Sequence, residues 1–315
     1  MEIKKELRSV YDLAIVIPTL NEEKGLESTI KSINTALDGK YSYVIVVVDG
    51  LSTDKTVEVA KSMGAKVIKQ RRKGVGDALQ AGFYYVDTKL DSLITVMLDA
   101  DGTYEPKDLV KMAEIIKNGE ADFVIGNRFA NMDKNAMPRL NQFGNKLLSA
   151  ISRKTLGTKV SDWHSGIRAF RSDLANIFYT SSMGFPFPTE MLAAVNSHQI
   201  RIKEIPTSYH KRIGSTNLTP FQDGSRILST IIRLLRDTRP LALFGTIGFG
   251  LVILGVFSGL EVLAEYLESG TVQRIPTAIL SALLVVLGIQ SLSLGLISDM
   301  IKSRTHEKRI FFTED

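Results

Sequence analysis

The chain has 315 residues, enough for two domains or for one large α/β domain with an appendage. It contains no cysteine, which excludes disulfides, thiolate zinc sites and a cysteine nucleophile. Its 39 Lys and Arg stand against 34 Asp and Glu, a net +5 that suits a membrane surface or phosphorylated substrates, and the absence of any arginine-rich tail speaks against nucleic acid as a partner.

The N-terminal MEIKKELRSVYD has no apolar stretch of signal-peptide length, so no signal peptide is expected. Residues 12–17 (DLAIVI) and 43–48 (YVIVVV) are short β-branched runs, the pattern of strands covered on both faces of a parallel sheet. Between them, Leu26, Ile30, Ile33 and Leu37 give residues 22–37 a helical period. The alternation continues with a helix at 53–63, a strand at 66–69, a helix at 75–86, a strand at 93–98, a helix at 106–117 and a strand at 123–125. Such an order means βαβ units and an open, mostly parallel sheet whose site lies at the carboxyl ends of its strands.

After Arg128 the pattern changes. Residues 139–156 and 223–236 place apolar residues on one helical face and Arg or Lys on the other, as helices at a membrane interface do. The segment from Pro206 to Pro220 is basic, rich in turn formers, and reads as a loop. Leu241 to Leu263 and Ile275 to Ser298 are apolar runs, each about the ~20 residues needed to cross a bilayer. Glu261 falls near the end of the first, where a carboxylate can reach headgroups. Arg226, Arg233, Arg236 and Arg239 precede the first run and Lys302, Arg304, Lys308 and Arg309 follow the second, whereas the connector AEYLESGTVQR has a single arginine. The positive-inside rule then puts both ends on the cytosolic side. The expected organisation is a cytosolic domain over 1–220, a juxtamembrane amphipathic helix over 221–240, two transmembrane helices over 241–298 and a cytosolic tail over 299–315.

Four strand ends carry polar clusters: PTLNEE, DGLSTDKT, RRKGVGDA and DADGTYEP. In the second, Asp49 closes an apolar run and reads as a ligand residue, while Ser52 or Thr53 reads as a helix cap. The third offers cations followed by glycines that open a helix, an arrangement that brings backbone N–H groups near a phosphate. In the fourth, Asp99 and Asp101 occupy alternate positions of an extended chain and so share a face. Two acids followed by a turn glycine make a seat for a divalent cation that itself holds phosphate oxygens. A DxDGT sequence is also the nucleophile motif of haloacid-dehalogenase-type phosphatases, but there it closes the first strand and is followed by a GDxxxD pair, which is absent here.

The series PTLNEE, VVVDGLSTDKT, KGVGDALQAG, LDADGTYEP, GNRF, SDWHSGIRAFR and YHKRIGSTNL, over roughly residues 10–240, resembles family 2 glycosyltransferases of the GT-A fold. The similarity is to the polyprenyl-phosphate members, the dolichyl-phosphate mannose and glucose synthases. The resemblance implies a Rossmann-like, mostly parallel α/β sheet flanked by helices, with interfacial amphipathic helices and two C-terminal transmembrane helices. It also implies the site. Pro18, Leu20, Glu22 and Asp49 fall where the family holds the nucleobase and ribose, and Lys73 joins the nucleotide-binding set. Asp99 and Asp101 match the DxD motif for Mg²⁺ or Mn²⁺, with Thr103 where mannose-type members have a glutamine ligand. Arg128 and Arg139 match positions for the acceptor phosphate, Arg212 one that reaches the donor diphosphate, and Ser165 and Arg168 positions lining the sugar and acceptor site. Leu20 replaces the family's usual aromatic, and Asp49-Gly50-Leu51-Ser52 stands where the family has DDGS, so that Gly50 takes the place of its second acid; both departures tilt the donor toward a UDP-sugar over GDP-mannose. Trp163 and His164 read as packing residues.

The implied reaction moves a hexose from a nucleotide diphosphate sugar to polyprenyl phosphate at the cytosolic face of a cytoplasmic or endoplasmic-reticulum-type membrane. No QxxRW motif of processive relatives is present, so a single transfer is expected. Transfer to a hydroxyl would need a general base, for which Glu190 is the candidate, and an inactive nucleotide-sugar-binding scaffold is the alternative of another class. Two spans are a thin anchor, which leaves lateral association into a homo-oligomer open.

Overall fold

The computed structural model describes residues 10–179, 187–214 and 239–310, together with 225, 228, 229, 231–233, 235 and 236. Much of the expected amphipathic helix at 223–236 and residues 215–220 of the basic loop lie outside the described residues. The chain divides into two compact units, residues 1–230 and 231–315.

The first unit alternates strands and helices: β1 (Val10–Thr19), α1 (Glu23–Leu37), β2 (Tyr43–Asp49), α2 (Thr56–Ser62), β3 (Lys66–Lys69), α3 (Val75–Lys89), β4 (Asp91–Met97), α4 (Lys107–Lys117) and β5 (Phe123–Met132). There follow α5 (Arg139–Leu156), β6 (Arg168–Arg171), a 3₁₀ helix (Ser172–Phe178), α6 (Phe187–Ser197) and β7 (Ile202–Tyr209). The seven strands form one sheet in the order β3-β2-β1-β4-β6-β5-β7. Only β6 runs against its neighbours, β4 and β5. Ile15 of β1 lies between Ile45 of β2 and Val96 of β4.

Leu13 to Ile17 are wholly buried because helices cover both faces of the sheet, which is why these strands are continuous apolar runs. Leu26, Ile30, Ile33 and Leu37 of α1 supply one covering face, at the predicted period. On α3, Gly82 allows close approach to the sheet: a Cβ built there would lie 2.3 Å from Val16 Cγ1 and 3.0 Å from Val48 Cγ2. The next residue, Phe83, meets Phe170 edge-on at 5.1 Å and also packs on Phe178 and Phe187. This aromatic cluster fastens β6, the 3₁₀ helix and α6 to α3.

One expectation is corrected, and one element was not foreseen. Residues 206–209 are the end of β7 and not part of a loop, and Pro206 is tolerated because β7 is the edge strand, paired on one side only. The antiparallel β6 was not foreseen, since RAFR is four residues long with arginines at both ends.

The second unit contains α7 (Pro240–Ser269) and α8 (Ile275–Ile310), with 30 and 27 residues respectively in stretches long and apolar enough to cross a membrane. They pack through small residues. A Cβ on Gly248 would lie 2.6 Å from Gly288 O, one on Gly255 2.9 Å from Ser281 O, and one on Gly295 3.1 Å from Phe244 Cβ. Ser281 Oγ donates to Gly255 O at 2.7 Å and Ser291 Oγ to Phe244 O at 2.8 Å.

Filling the α3 contact should be costly: Gly82→Leu is expected to lower stability by about 1–3 kcal/mol, the usual cost of overpacking a core. A thermal melt of the variant that matches the parent would show that α3 does not sit this close to β1.

Candidate functional site

At the carboxyl end of the sheet the loops after β1 and β2 are laced together. Gly50 N–H donates to Thr19 O at 2.7 Å, Asn21 N–H to Ser52 Oγ at 3.0 Å and Thr53 N–H to Asn21 Oδ1 at 2.8 Å. Asp49 is 2% exposed and accepts Ser52 N–H on Oδ1 at 3.0 Å. Ser52 and Thr53 therefore serve the neighbouring loop and not as the expected helix cap; α2 has no side-chain cap at its N-cap residue, Lys55, and Asp54 Oδ1 accepts both the N–H and the hydroxyl of Thr56 just ahead of it. Pro18 is half-buried within β1, beside Val48. Leu20 and Leu51 are 41% and 54% exposed, and Leu51 is held at a φ of 69°, a conformation unfavourable for a branched side chain. In the third loop Lys73 is exposed, while Asp77 Oδ2 accepts the N–H groups of Arg71 and Arg72 at 3.2 and 2.9 Å, so those two amides are already engaged.

Asp99 and Asp101 lie beyond the end of β4, in a turn, so strand alternation is not what brings them together. Gly102, at a φ of 73°, provides the reversal, and Asp101 Oδ1 closes it by accepting the N–H of Thr103 at 3.1 Å and its hydroxyl at 2.6 Å. The turn is braced by α1: Thr29 Oγ1 donates to Ala100 O at 3.1 Å, and a Cβ on Gly25 would come within 2.7 Å of the same oxygen. Asp99 faces Gly166, where a Cβ would strike Asp99 Oδ2 at 2.1 Å.

Arg212, which follows β7, is ion-paired to Glu22 through Nη2, and its Nη1 lies 3.4 Å from Asp101 Oδ2. Its Nε is shut from water with no partner. Glu22, Asp99, Asp101 and Arg212 thus come together from three distant parts of the chain. Burial raises the Glu22 carboxyl to about 7; Arg212 opposes the shift, and the charges of Asp101 and Asp99 add to it. Asp99 is likewise pushed well above the ordinary carboxylate range, first by burial and then by Asp101. A half-buried, under-compensated carboxylate beside a second one fits a hard divalent cation. Among the described residues no group of three or more His, Cys, Asp or Glu is placed to hold a metal alone, so the remaining ligands of such a cation would come from substrate oxygens. The Thr103 hydroxyl is given to Asp101, which makes Thr103 a support of that carboxylate.

Other expected residues are placed differently. Arg128 is 7% exposed, with Nε and Nη2 each 2.8 Å from the two oxygens of Asp162. Asp162 also accepts Arg128 N–H at 3.0 Å; burial works against its charge, yet Arg128 holds the carboxyl below its usual value. Arg168, expected to line the sugar site, is fully buried and donates to the carbonyls of Ser165, Pro188 and Trp163 at 3.1, 2.7 and 2.8 Å. It ties the SDWHSGIR segment to the start of α6; burial lowers its guanidinium to about 10. Ser165 is fully buried, its Oγ without a partner. Arg139 is exposed at the start of α5 and makes no ion pair among the described residues. Glu190 is buried in the first turn of α6, where the helix dipole favours a carboxylate. Asp162 and Tyr104, whose hydroxyl accepts Gly166 N–H at 2.6 Å, were not singled out from the sequence; an acid 34 positions from its arginine follows no local period.

Residues 14–178 match the family model described as Glycosyl transferase family 2. The chain belongs to this family. Among curated relatives it is 35% identical over 314 residues to the low-salt glycan biosynthesis hexosyltransferase Agl6 of Haloferax volcanii, covering 96% of this chain and 73% of the relative. It is 34% identical to the glycosyltransferase AglJ of the same organism, covering 95% and 97%, and 34% identical to its dolichyl-phosphate hexose transferase, covering 72% and 96%. A solved structure of glucosyl-3-phosphoglycerate synthase from Mycobacterium tuberculosis, with Mn²⁺, UDP and product, aligns with a TM-score of 0.57 at 21% identity over 71% of this chain and 80% of that one, a likeness of fold. The protein is a glycosyltransferase with the expected mostly parallel GT-A-like sheet, and the phosphatase alternative falls away.

In this glycosyltransferase His164 Nε2 is enclosed without a partner. Burial, followed by the charge of Arg128, lowers its imidazole from 6.5 to about 3. Between those values the unfolded chain takes a proton that the folded chain refuses, so stability is complete above about pH 6.5 and declines as pH falls toward 3. His164→Gln should flatten the acid side of a plot of melting temperature against pH; a curve parallel to that of the parent would show that His164 is solvated.

Proposed function

We propose that the protein transfers a hexose from a nucleotide diphosphate sugar, UDP-linked in preference to GDP-linked, to a dolichyl- or undecaprenyl-type polyprenyl phosphate, with inversion at the anomeric carbon. The observation that carries this reading is the meeting of Glu22, Asp99 and Asp101 with Arg212 at the carboxyl ends of β1 and β4. The name of the similar dolichyl-phosphate hexose transferase supports the acceptor class. The exposed Leu20 and Leu51 offer apolar surface and no hydrogen bonds to a guanine edge, which supports uracil.

An attacking phosphate is anionic at neutral pH, so the reaction needs no general base. It needs cations at the acceptor and charge stabilisation at the leaving diphosphate. Asp99 and Asp101, the latter held by Thr103, would hold Mg²⁺ or Mn²⁺, which supplies Lewis-acid stabilisation of the departing diphosphate. Arg212 carries the second positive charge to the same diphosphate, its guanidinium already standing at the Glu22 and Asp101 carboxylates. Asp49, Pro18, Leu20, Glu22 and Lys73 surround the nucleoside. Arg139 is exposed and free to meet the acceptor phosphate, whereas Arg128 acts from within its pair with Asp162. Leu140, Phe143 and Leu147 form an exposed apolar stripe along α5, which suits a helix lying at a lipid surface close to its acceptor.

In the proposed organisation, residues 1–220 are the cytosolic catalytic domain, 221–240 a juxtamembrane helix, 241–298 two membrane spans and 299–315 a cytosolic tail. The test is a donor panel: purified protein in detergent, Mg²⁺ or Mn²⁺, polyprenyl phosphate, and UDP- or GDP-linked hexoses, with lipid-linked product read by mass. One UDP-sugar should give product, and chelation of the metal or Asp101→Asn should each cut turnover by about a hundredfold or more. Undiminished turnover after either change would remove the metal from the mechanism; nucleotide binding without product on any polyprenyl phosphate would point to another acceptor.

A further inference from the structure

The position of Arg212 depends on the short stretch after β7. Two backbone bonds join this stretch to the Asp101 turn: His210 N–H donates to Thr103 O at 2.7 Å and Ile213 N–H to Asp101 O at 2.9 Å. Asp133 N–H donates to Tyr209 O at 2.9 Å, and the rings of Tyr104 and Tyr209 meet edge-on at 5.4 Å. The side chain of His210 adds a cross-link of another kind. Its Nδ1 is 2.7 Å from Asp133 Oδ2, just past the end of β5, and its Nε2 is 3.7 Å from Glu105 Oε2, four residues after Asp101. Neither carboxylate has another ion partner among the described residues. All three groups are partly exposed, so the bond does little for the core.

We propose that His210 is a positioning residue for the donor-binding arginine: by bridging Asp133 and Glu105 it fixes the backbone two residues ahead of Arg212, so that the guanidinium is held at the Asp101 and Glu22 carboxylates before substrate arrives. This inference rests on the reading of Arg212 as a ligand of the donor diphosphate. The physical reason lies in the arginine itself. Its side chain has many rotamers, and a guanidinium whose backbone wanders loses the advantage of its rigid fork. The His210 side chain reaches two separate segments, and so adds to the backbone bonds of the loop a restraint that they do not give by themselves. The arrangement pre-pays the ordering that nucleotide binding would otherwise require.

The test is a double-mutant cycle on nucleotide affinity, measured by calorimetry on the full chain in detergent with Mn²⁺ and no acceptor, using UDP or GDP, whichever the parent binds. His210→Ala should weaken binding about tenfold, and in an Arg212→Ala background it should have no further effect, because the two changes act through one contact. His210→Asn, whose amide can still donate to Asp133, should recover most of the loss. Should His210→Ala fail to fold, Asp133→Asn measured in the same way is expected to show the same non-additive pattern. Equal losses with and without Arg212, or an affinity unchanged by His210→Ala, would overturn the inference while leaving the donor reading intact. Failure of the parent itself to bind either nucleotide would overturn both.

Discussion

Three carboxylates, those of Glu22, Asp99 and Asp101, are held near one another at the ends of two buried strands, and a single guanidinium, that of Arg212, sits directly on two of them. Such crowding of like charge costs free energy, and it persists because the surrounding structure leaves little room to relax: α1 braces the Asp101 turn, Thr103 holds one Asp101 oxygen, and Gly166 lies against Asp99. The raised proton affinities of Glu22 and Asp99 are the electrostatic expression of that constraint. A site of this kind is under-neutralised by design of the fold, and the loop that brings Arg212 is the part that answers to it.

Four arginines singled out from the sequence have three different environments. Arg128 is bound bidentately by Asp162 and Arg168 by three carbonyls, and both are buried. They organise the SDWHSGIR segment, and removing a partner of either would leave a buried charge uncompensated, a change that typically costs 3–5 kcal/mol. Arg212 stands at the Glu22 and Asp101 carboxylates and Arg139 stands in solvent. The sequence pattern treats these residues alike, yet their surroundings separate those that shape the site from those free to meet a phosphate.

Much of the first unit was legible. The apolar runs at 12–17 and 43–48 and the period of Leu26, Ile30, Ile33 and Leu37 were enough to foresee β1, α1 and β2, because strands covered on both faces leave an unmistakable signature. The pairing of acids at 99 and 101 was legible as chemistry, though the turn that creates it was mistaken for strand alternation. What escaped was non-local. β6 is stabilised by neighbours on both sides and by Phe170 in an aromatic cluster, none of which its four residues announce, and Pro206 concealed the end of an edge strand. Asp162 could not be matched to Arg128 without the fold, and the complete burial of Arg168 was hidden because a charged side chain in a motif gives no sign of which way it will be buried.

The close contact of Gly248 with Gly288 and of Gly255 with Ser281 brings two backbones together with no side chain between them. The bulky residues Phe249, Phe257, Leu260, Leu283 and Leu287 are left exposed along the pair. These large side chains lie away from the glycine contacts, so the hairpin turns its apolar bulk outward and not across its own seam.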